Sequence, residues 1–315
     1  MKIVILDGYT TNPGDLSWSP LEALGDVTAY EGTKPDEILD HAAEADAIIL
    51  NKVRMGAAEF DALPRLKYIG VLATGYDAVD VAEAAKRGIT VTNVPGYASR
   101  SVAQLAFALI LELCMQPALH SVRIKEEGLW CKQRFGTFWL TPLVGLEGKT
   151  LGIIGFGQIG REVAKIGRAF GMRIVARGAA EESSDEAERM PIEALMQVSD
   201  VVSLHCPLFP ETKGMIHSGL LKLMKPTSFF INTSRGQLVA EQDLADALNQ
   251  DVIAGAGLDV LAVEPAREDN PLLYAKNAVI TPHIGWATVE ARQALIRQVA
   301  ANYQAYLSER PINVV

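Results

Sequence analysis

Cysteine is scarce in this chain. Only Cys114, Cys131 and Cys206 occur in 315 residues, widely spaced and with no CxxC pair. That excludes a disulfide framework and the common zinc modules, and it suits a reducing compartment. Positive charge is also short: 29 Lys and Arg stand against 38 Asp and Glu, a net charge of −9. A basic, nucleic-acid-binding surface is therefore not expected. Long apolar runs are missing as well. The apolar residues after Met1-Lys2 stop at Asp7-Gly8, too soon for a signal h-region, and the stretch 102–115 is interrupted by Gln104 and Glu112. A soluble cytoplasmic protein without a metal site, a membrane or a nucleic-acid partner is the expectation.

Hydrophobic residues make up 49% of the chain and charged residues 21%, enough to bury a core, and 315 residues suffice for two domains. Short β-rich apolar runs occupy residues 3–6, 47–50, 68–72, 89–94, 150–155, 173–176, 200–204, 228–232, 253–259 and 278–281. Continuous rather than alternating apolar runs mark strands covered on both faces, and the intervals hold crossover helices, so parallel sheets of βαβ units follow. Two series are distinguishable, one before residue 95 and one after 150, separated by a helical stretch at 99–116. Ser101-Val102-Ala103-Gln104 reads as a capping box opening that helix, and Pro117 should interrupt it. Ala291, Leu295, Val299 and Tyr303 recur at one-turn spacing and predict a C-terminal helix.

Gly155-Phe156-Gly157-Gln158-Ile159-Gly160 follows an apolar strand and precedes the helical segment 161–170 and a second strand at 173–176. This is GxGxxG in the setting that gives it meaning. The first glycine permits the turn, the second admits a pyrophosphate to the backbone, the third lets helix pack on strand, and the helix N-terminus faces the phosphates. A nicotinamide dinucleotide is the expected ligand. The second strand ends Val175-Ala176-Arg177-Gly178, without the acid that accepts from the ribose hydroxyls. Arg177 is placed to meet a 2′-phosphate, which leans towards NADP; NAD stays open, with Glu181 or Glu182 supplying the acid from the following loop.

Three later segments each put an ionisable residue after a strand: Asn232-Thr233-Ser234-Arg235-Gly236, Gly257-Leu258-Asp259-Val260 with Glu264-Pro265, and Thr281-Pro282-His283-Ile284-Gly285. Ligands of open α/β sheets bind beyond the carboxyl ends of strands, so these three segments are candidates to converge on a nicotinamide. With His205-Cys206-Pro207-Leu208, Thr74-Gly75-Tyr76-Asp77 and Asn93-Val94-Pro95-Gly96, they make the chain resemble the D-isomer-specific 2-hydroxyacid dehydrogenases over essentially its whole length. Within that family, Leu6-Asp7-Gly8-Tyr9, Leu50-Asn51-Lys52 and Trp286 are most similar to the glycerate dehydrogenase/hydroxypyruvate reductase branch.

The resemblance implies two α/β domains: a Rossmann cofactor domain at 99–285 inserted in a flavodoxin-like substrate domain made of 1–98 and a returning helix at 286–315, with the active site in the cleft. It implies His283 as acid/base, Glu264 as its hydrogen-bonded carboxylate and Arg235 as the holder of the substrate carboxylate or carbonyl, roles that suit a carbonyl oxygen gaining negative charge. Gly155, Gly157, Gln158, Ile159, Gly160, Arg177, His205, Cys206, Pro207, Thr233 and Asp259 would line the cofactor. Thr74, Gly75 and Lys52 would join Arg235 and His283 at the substrate; Lys52 and Arg54 also suit drawing an anion towards an acidic protein. His41, His120, His205 and His217 have no comparable setting and are assigned no proton transfer.

The expected reaction is NAD(P)H-dependent interconversion of hydroxypyruvate or glyoxylate with D-glycerate or glycolate. Pyruvate, 3-phosphohydroxypyruvate or an aromatic keto acid is the alternative substrate, and a non-catalytic NAD(H)-sensing protein the alternative function. A homodimer is implied by the family, with 99–116 as the candidate interface.

Overall fold

A computed structural model describes residues 1–178 and 186–315. The chain divides into two compact units, Met1–Ala98 with Ala287–Val315, and Ser99–Trp286.

In the first unit, strands β1 (Lys2–Ile5), β2 (Asp26–Ala29), β3 (Ala47–Leu50), β4 (Tyr68–Val71) and β5 (Thr90–Thr92) form an all-parallel sheet in the order β2-β1-β3-β4-β5. This is the flavodoxin-like order. β3 and β4 are buried along their whole length, as their unbroken Ala-Ile-Ile-Leu and Tyr-Ile-Gly-Val sequences require. The edge strand β2 lacks an apolar run, and its residues are mostly exposed. The C-terminal helix Val289–Leu307 buries Ala291, Leu295, Val299 and Tyr303. It lies over β4, where the Tyr303 and Tyr68 rings sit 4.9 Å apart.

In the second unit, β6 (Thr150–Ile154), β7 (Arg173–Arg177), β8 (Glu188–Arg189), β9 (Val201–Leu204), β10 (Phe229–Asn232), β11 (Gly255–Leu258) and β12 (Ala278–Ile280) form a parallel sheet ordered β12-β11-β10-β9-β6-β7-β8. The chain starts in the middle at β6, runs outward to β8, and returns to the other side of β6 at β9. That reversal is a topological switch point, where doubly wound sheets bind ligands. Each face has its own core. Phe229 and Ile231 point to the helices Ser99–Met115 and Gln158–Ala169, with Phe107, Ile110, Leu113 and Val163, while Phe230 faces Leu195, Leu221, Leu244 and Leu248.

The helix Ser99–Met115 starts three residues earlier than the Ser101 capping box requires. Ser101 lies inside the helix, and its hydroxyl donates to the Gly285 carbonyl instead. Ala103, Ala106, Phe107, Leu109, Ile110 and Leu113 are core residues of their own unit, while Ala108 and Met115 on the same helix are exposed. At Gln116 the backbone turns left-handed, and a second helix, Pro117–Glu127, leaves at 56° with proline in its first turn. No single helix among the described residues is long and apolar enough to cross a membrane.

Candidate active site

Strand register builds the site. Ile154, Leu204, Asn232, Leu258 and Ile280 are paired across β6, β9, β10, β11 and β12. One residue further, Gly155, His205, Thr233, Asp259 and Thr281 therefore stand in a row along the carboxyl edge.

At the switch point the glycines have distinct duties. Gly155 has φ +99°, and a Cβ on it would lie 2.4 Å from the Cys206 nitrogen and the His205 carbonyl carbon. A Cβ on Gly160 would lie 2.3 Å from the Gly155 oxygen. These two positions close the turn against β9 and the following helix. A Cβ on Gly157, by contrast, would meet nothing within 4 Å. Gly157 is the N-cap of Gln158–Ala169, so the space above it opens onto unsatisfied N–H groups, with Gln158 and Ile159 as the first helical residues. That is a cradle for a pyrophosphate. The Thr233 hydroxyl and His205 Nδ1, in the same row, are buried without hydrogen-bond partners among the described residues. The residues present thus fit a dinucleotide.

His205 is buried. Its Nε2 lies 2.8 Å from the Ser203 hydroxyl, and burial pushes its pKa down to about 3, so it stays neutral and offers no proton. Cys206 is half-buried, and burial pushes its thiol up, away from nucleophilic use. Pro207 presents its carbonyl to the Thr212 hydroxyl at 3.1 Å.

At the end of β7, Arg177 is exposed and its carbonyl accepts from Gly155 N–H at 2.8 Å. Arg189 on β8 donates from Nη1 to the Gly178 carbonyl at 2.8 Å and lies 4.4 Å over the Phe156 ring. A second guanidinium therefore stands where a ribose-binding acid was missing. Glu181 and Glu182 lie outside the described residues.

On the other side of the switch point, Nδ1 of His283 is 2.7 Å from Oε2 of Glu264. A carboxylate only accepts, so Nδ1 carries a proton and Nε2 is the atom left for chemistry. His283 has φ 56°, a left-handed conformation that costs a non-glycine residue about 1–2 kcal/mol. Asp259 holds it there. Its carbonyl accepts from His283 N–H at 2.8 Å. Its carboxylate, 2% exposed, accepts from the Thr281 hydroxyl at 2.6 Å, Ile284 N–H at 2.8 Å and Gly285 N–H at 2.8 Å. Asp259, expected to contact the cofactor, thus also holds the histidine turn with both carboxylate oxygens.

Arg235 is half-buried at the end of β10, next to β11. Its Nη1 donates to the Ser234 carbonyl at 2.8 Å, and among the described residues no carboxylate pairs with it. A guanidinium so placed is ready for an anion. Gly236 sets it against the Glu264 loop, for a Cβ there would fall 1.9 Å from the Leu261 carbonyl carbon. Among the described residues no direct contact joins Arg235 to His283; they follow β10 and β12, which flank β11 on its two sides. Sequence reasoning missed the supports: Asn232, whose amide donates to the Arg235 carbonyl at 2.9 Å, and Glu241, which accepts from Ala262 N–H at 2.8 Å. Asn232 lay within the motif already noted; Glu241 carried no local signal.

In the first unit, the N–H groups of Thr74 and Gly75 donate to no acceptor among the described residues, and Lys52 is exposed. The Thr74 loop is fixed from beneath, by Thr74 Oγ1 donating to the Val94 carbonyl at 2.8 Å and Asn93 Nδ2 donating to the Thr74 carbonyl at 2.7 Å.

A switch-point cradle for a dinucleotide, with a histidine–carboxylate pair and an arginine that no carboxylate among the described residues pairs, defines a nicotinamide-dependent dehydrogenase. The model of the D-isomer specific 2-hydroxyacid dehydrogenase NAD binding domain matches residues 107–285. The chain is 44% identical to a hydroxypyruvate reductase of Blautia hydrogenotrophica, over 100% of this chain and 99% of the relative. It is 40% identical to a glycerate dehydrogenase of Methylorubrum extorquens, over 91% and 90%. Among solved structures, an acyclic imino acid reductase in complex with NADPH and D-arginine superposes with a TM-score of 0.86 at 32% identity, covering all of both chains. The chain belongs to the D-isomer-specific 2-hydroxyacid dehydrogenase family.

Proposed function

We propose that this protein interconverts a small 2-keto acid, hydroxypyruvate or glyoxylate, with its D-2-hydroxy acid. The observation that carries the reading is the His283–Glu264 hydrogen bond, 2.7 Å long, on a strand end two places from that of Arg235. When bound, the nicotinamide supplies the hydride for reduction or receives it in the reverse direction. His283 Nε2 gives a proton to the carbonyl oxygen as negative charge grows there, and takes it from the hydroxyl in oxidation. Glu264 fixes the imidazole tautomer and steadies the imidazolium. Arg235 holds the substrate carboxylate or carbonyl through its planar fork. The N–H groups of Thr74 and Gly75, with Lys52, bind the carboxylate. The relatives' activities on hydroxypyruvate and glycerate support this substrate class.

NADPH is the proposed preference, because the strand end Arg177-Gly178 offers a guanidinium where a carboxylate would clasp a 2′-hydroxyl. The protein acts as a homodimer. The candidate interface is 99–116 with the segment that follows it, where Met115, Trp130, Phe135 and Trp139 are exposed; light scattering at the mass of one chain would exclude this. A panel of hydroxypyruvate, glyoxylate, pyruvate, 3-phosphohydroxypyruvate and phenylpyruvate, run with NADH and NADPH in parallel, tests the function. Hydroxypyruvate or glyoxylate should give the highest kcat/KM, with NADPH the better donor. Tight cofactor binding without turnover of any keto acid would make the protein a sensor instead.

A further inference from the structure

Asp7 takes no part in the chemistry above, yet its carboxylate is heavily used. It follows β1, is buried, and accepts three hydrogen bonds from consecutive backbone N–H groups beyond β3: Asn51 at 2.7 Å on one oxygen, Lys52 at 2.5 Å and Val53 at 3.1 Å on the other. Successive N–H groups turned to one point form an anion nest. Here the nest is filled by a side chain of the same sheet, which leaves the loop a single backbone path.

That path has a consequence for charge. Asn51, Val53 and Met55 are buried, whereas Lys52 and Arg54 are exposed, so the two cations leave the backbone on one side. The segment is also tied to the loop that carries Thr74 and Gly75. Asn51 Nδ2 donates to the Leu72 carbonyl at 2.8 Å, Met55 N–H to the Ala78 carbonyl at 2.9 Å, and Asp80 N–H to the Met55 carbonyl at 2.9 Å. Among the described residues, neither Lys52 nor Arg54 forms an ion pair. In a chain of net charge −9, two unpaired cations on one rigid loop form an anion-receptive edge.

We propose that Asp7 is a positioning residue for the anionic substrate, aiming Lys52 and Arg54 through the backbone of residues 51–53. This rests on the reading of Lys52 as a substrate contact. The Asp7→Asn variant separates the possible roles by the sign of its effect. Loss of a negative charge near two cations would, by Coulomb attraction alone, tighten binding of an anion and lower KM. A purely structural role would lower the melting temperature and leave KM in place. Positioning predicts the opposite of the charge effect: KM for the keto acid rises about tenfold while kcat stays within about twofold, as small misplacements of a binding group do. The Kd for NAD(P)H, whose cradle lies in the other unit, is unchanged.

A double-mutant cycle with Lys52→Met completes the test. If Asp7 acts through Lys52, the double variant is little worse than Lys52→Met alone. An unchanged or lowered KM in Asp7→Asn, or effects that multiply in the double variant, would overturn the proposal. An unchanged KM in Lys52→Met removes the premise and the proposal together, while turnover of keto acid by the parent protein keeps the functional reading. If no keto acid turns over, calorimetric affinity for oxalate on the NADPH-loaded protein replaces KM in every arm. If Asp7→Asn does not fold, Asp7→Glu, which keeps the charge and shifts it by a methylene, decides in its place.

Discussion

The three glycines of the dinucleotide turn should respond to the same substitution in opposite ways. At Gly157 an added methyl enters open space, so the fold loses only N-cap preference, about 0.5–1 kcal/mol. In a chain of this size that lowers the melting temperature by only roughly 1–2 °C. The methyl nevertheless occupies the approach of the pyrophosphate to the helix N-terminus. Loss of one hydrogen bond to a charged phosphate, worth about 1.5–3 kcal/mol, raises the Kd for NAD(P)H by roughly ten- to a hundredfold. Gly160→Ala brings Cβ to 2.3 Å from the Gly155 oxygen, a backbone atom that cannot step aside. Overpacking of that kind costs about 1–3 kcal/mol. Gly155→Ala adds a left-handed φ of +99° to a 2.4 Å clash, with a further cost of about 1–2 kcal/mol. Thermal melts and NADPH fluorescence titrations of the three variants give the answer. The reasoning fails if Gly157→Ala binds NADPH like the parent protein, or if it melts as low as Gly160→Ala.

Other perturbations separate chemistry from support. Arg235→Lys keeps a positive charge but loses the fork, so kcat/KM should fall about 10²–10³-fold with NADPH affinity retained; a fall of less than tenfold would reduce Arg235 to a general cation. Burial holds the His205 pKa at about 3, so between there and the unfolded value near 6.5 the unfolded chain binds the extra proton. Its stabilising effect is present above pH 6.5 and is lost on acidification, by up to about 1.4 kcal/mol per pH unit. The His205→Asn variant should therefore show a flatter melting temperature between pH 6.5 and 4; an equal slope would mean that other groups carry the acid sensitivity.

Much of this was readable from the chain because buried parallel strands write themselves as apolar runs. Ile-Val-Ile in β1 and Phe-Phe-Ile in β10 are examples. β2 escaped because it is an edge strand whose Asp-Val-Thr-Ala sequence faces solvent, and β8 because it has two residues. Gly155, Gly157 and Gly160 were legible through their spacing, and Arg235, Glu264 and His283 through their places after strands. The duties of Asp259 and Asp7 were not. Each carboxylate works on backbone N–H groups, 44 to 46 residues away for Asp7, and backbone donors leave no mark on residue type. Ser101 misled for a related reason: capping chemistry and a bond to a distant carbonyl use the same hydroxyl.

The central claim is that His283, held by Glu264 and Asp259, moves the proton in the reaction. Steady-state kinetics of His283→Ala with hydroxypyruvate, alongside an NADPH binding titration, test it most directly. The account predicts a kcat lower by about 10²–10⁴-fold with cofactor affinity unchanged. A variant that turns over at close to the parent rate would show that the proton comes from elsewhere.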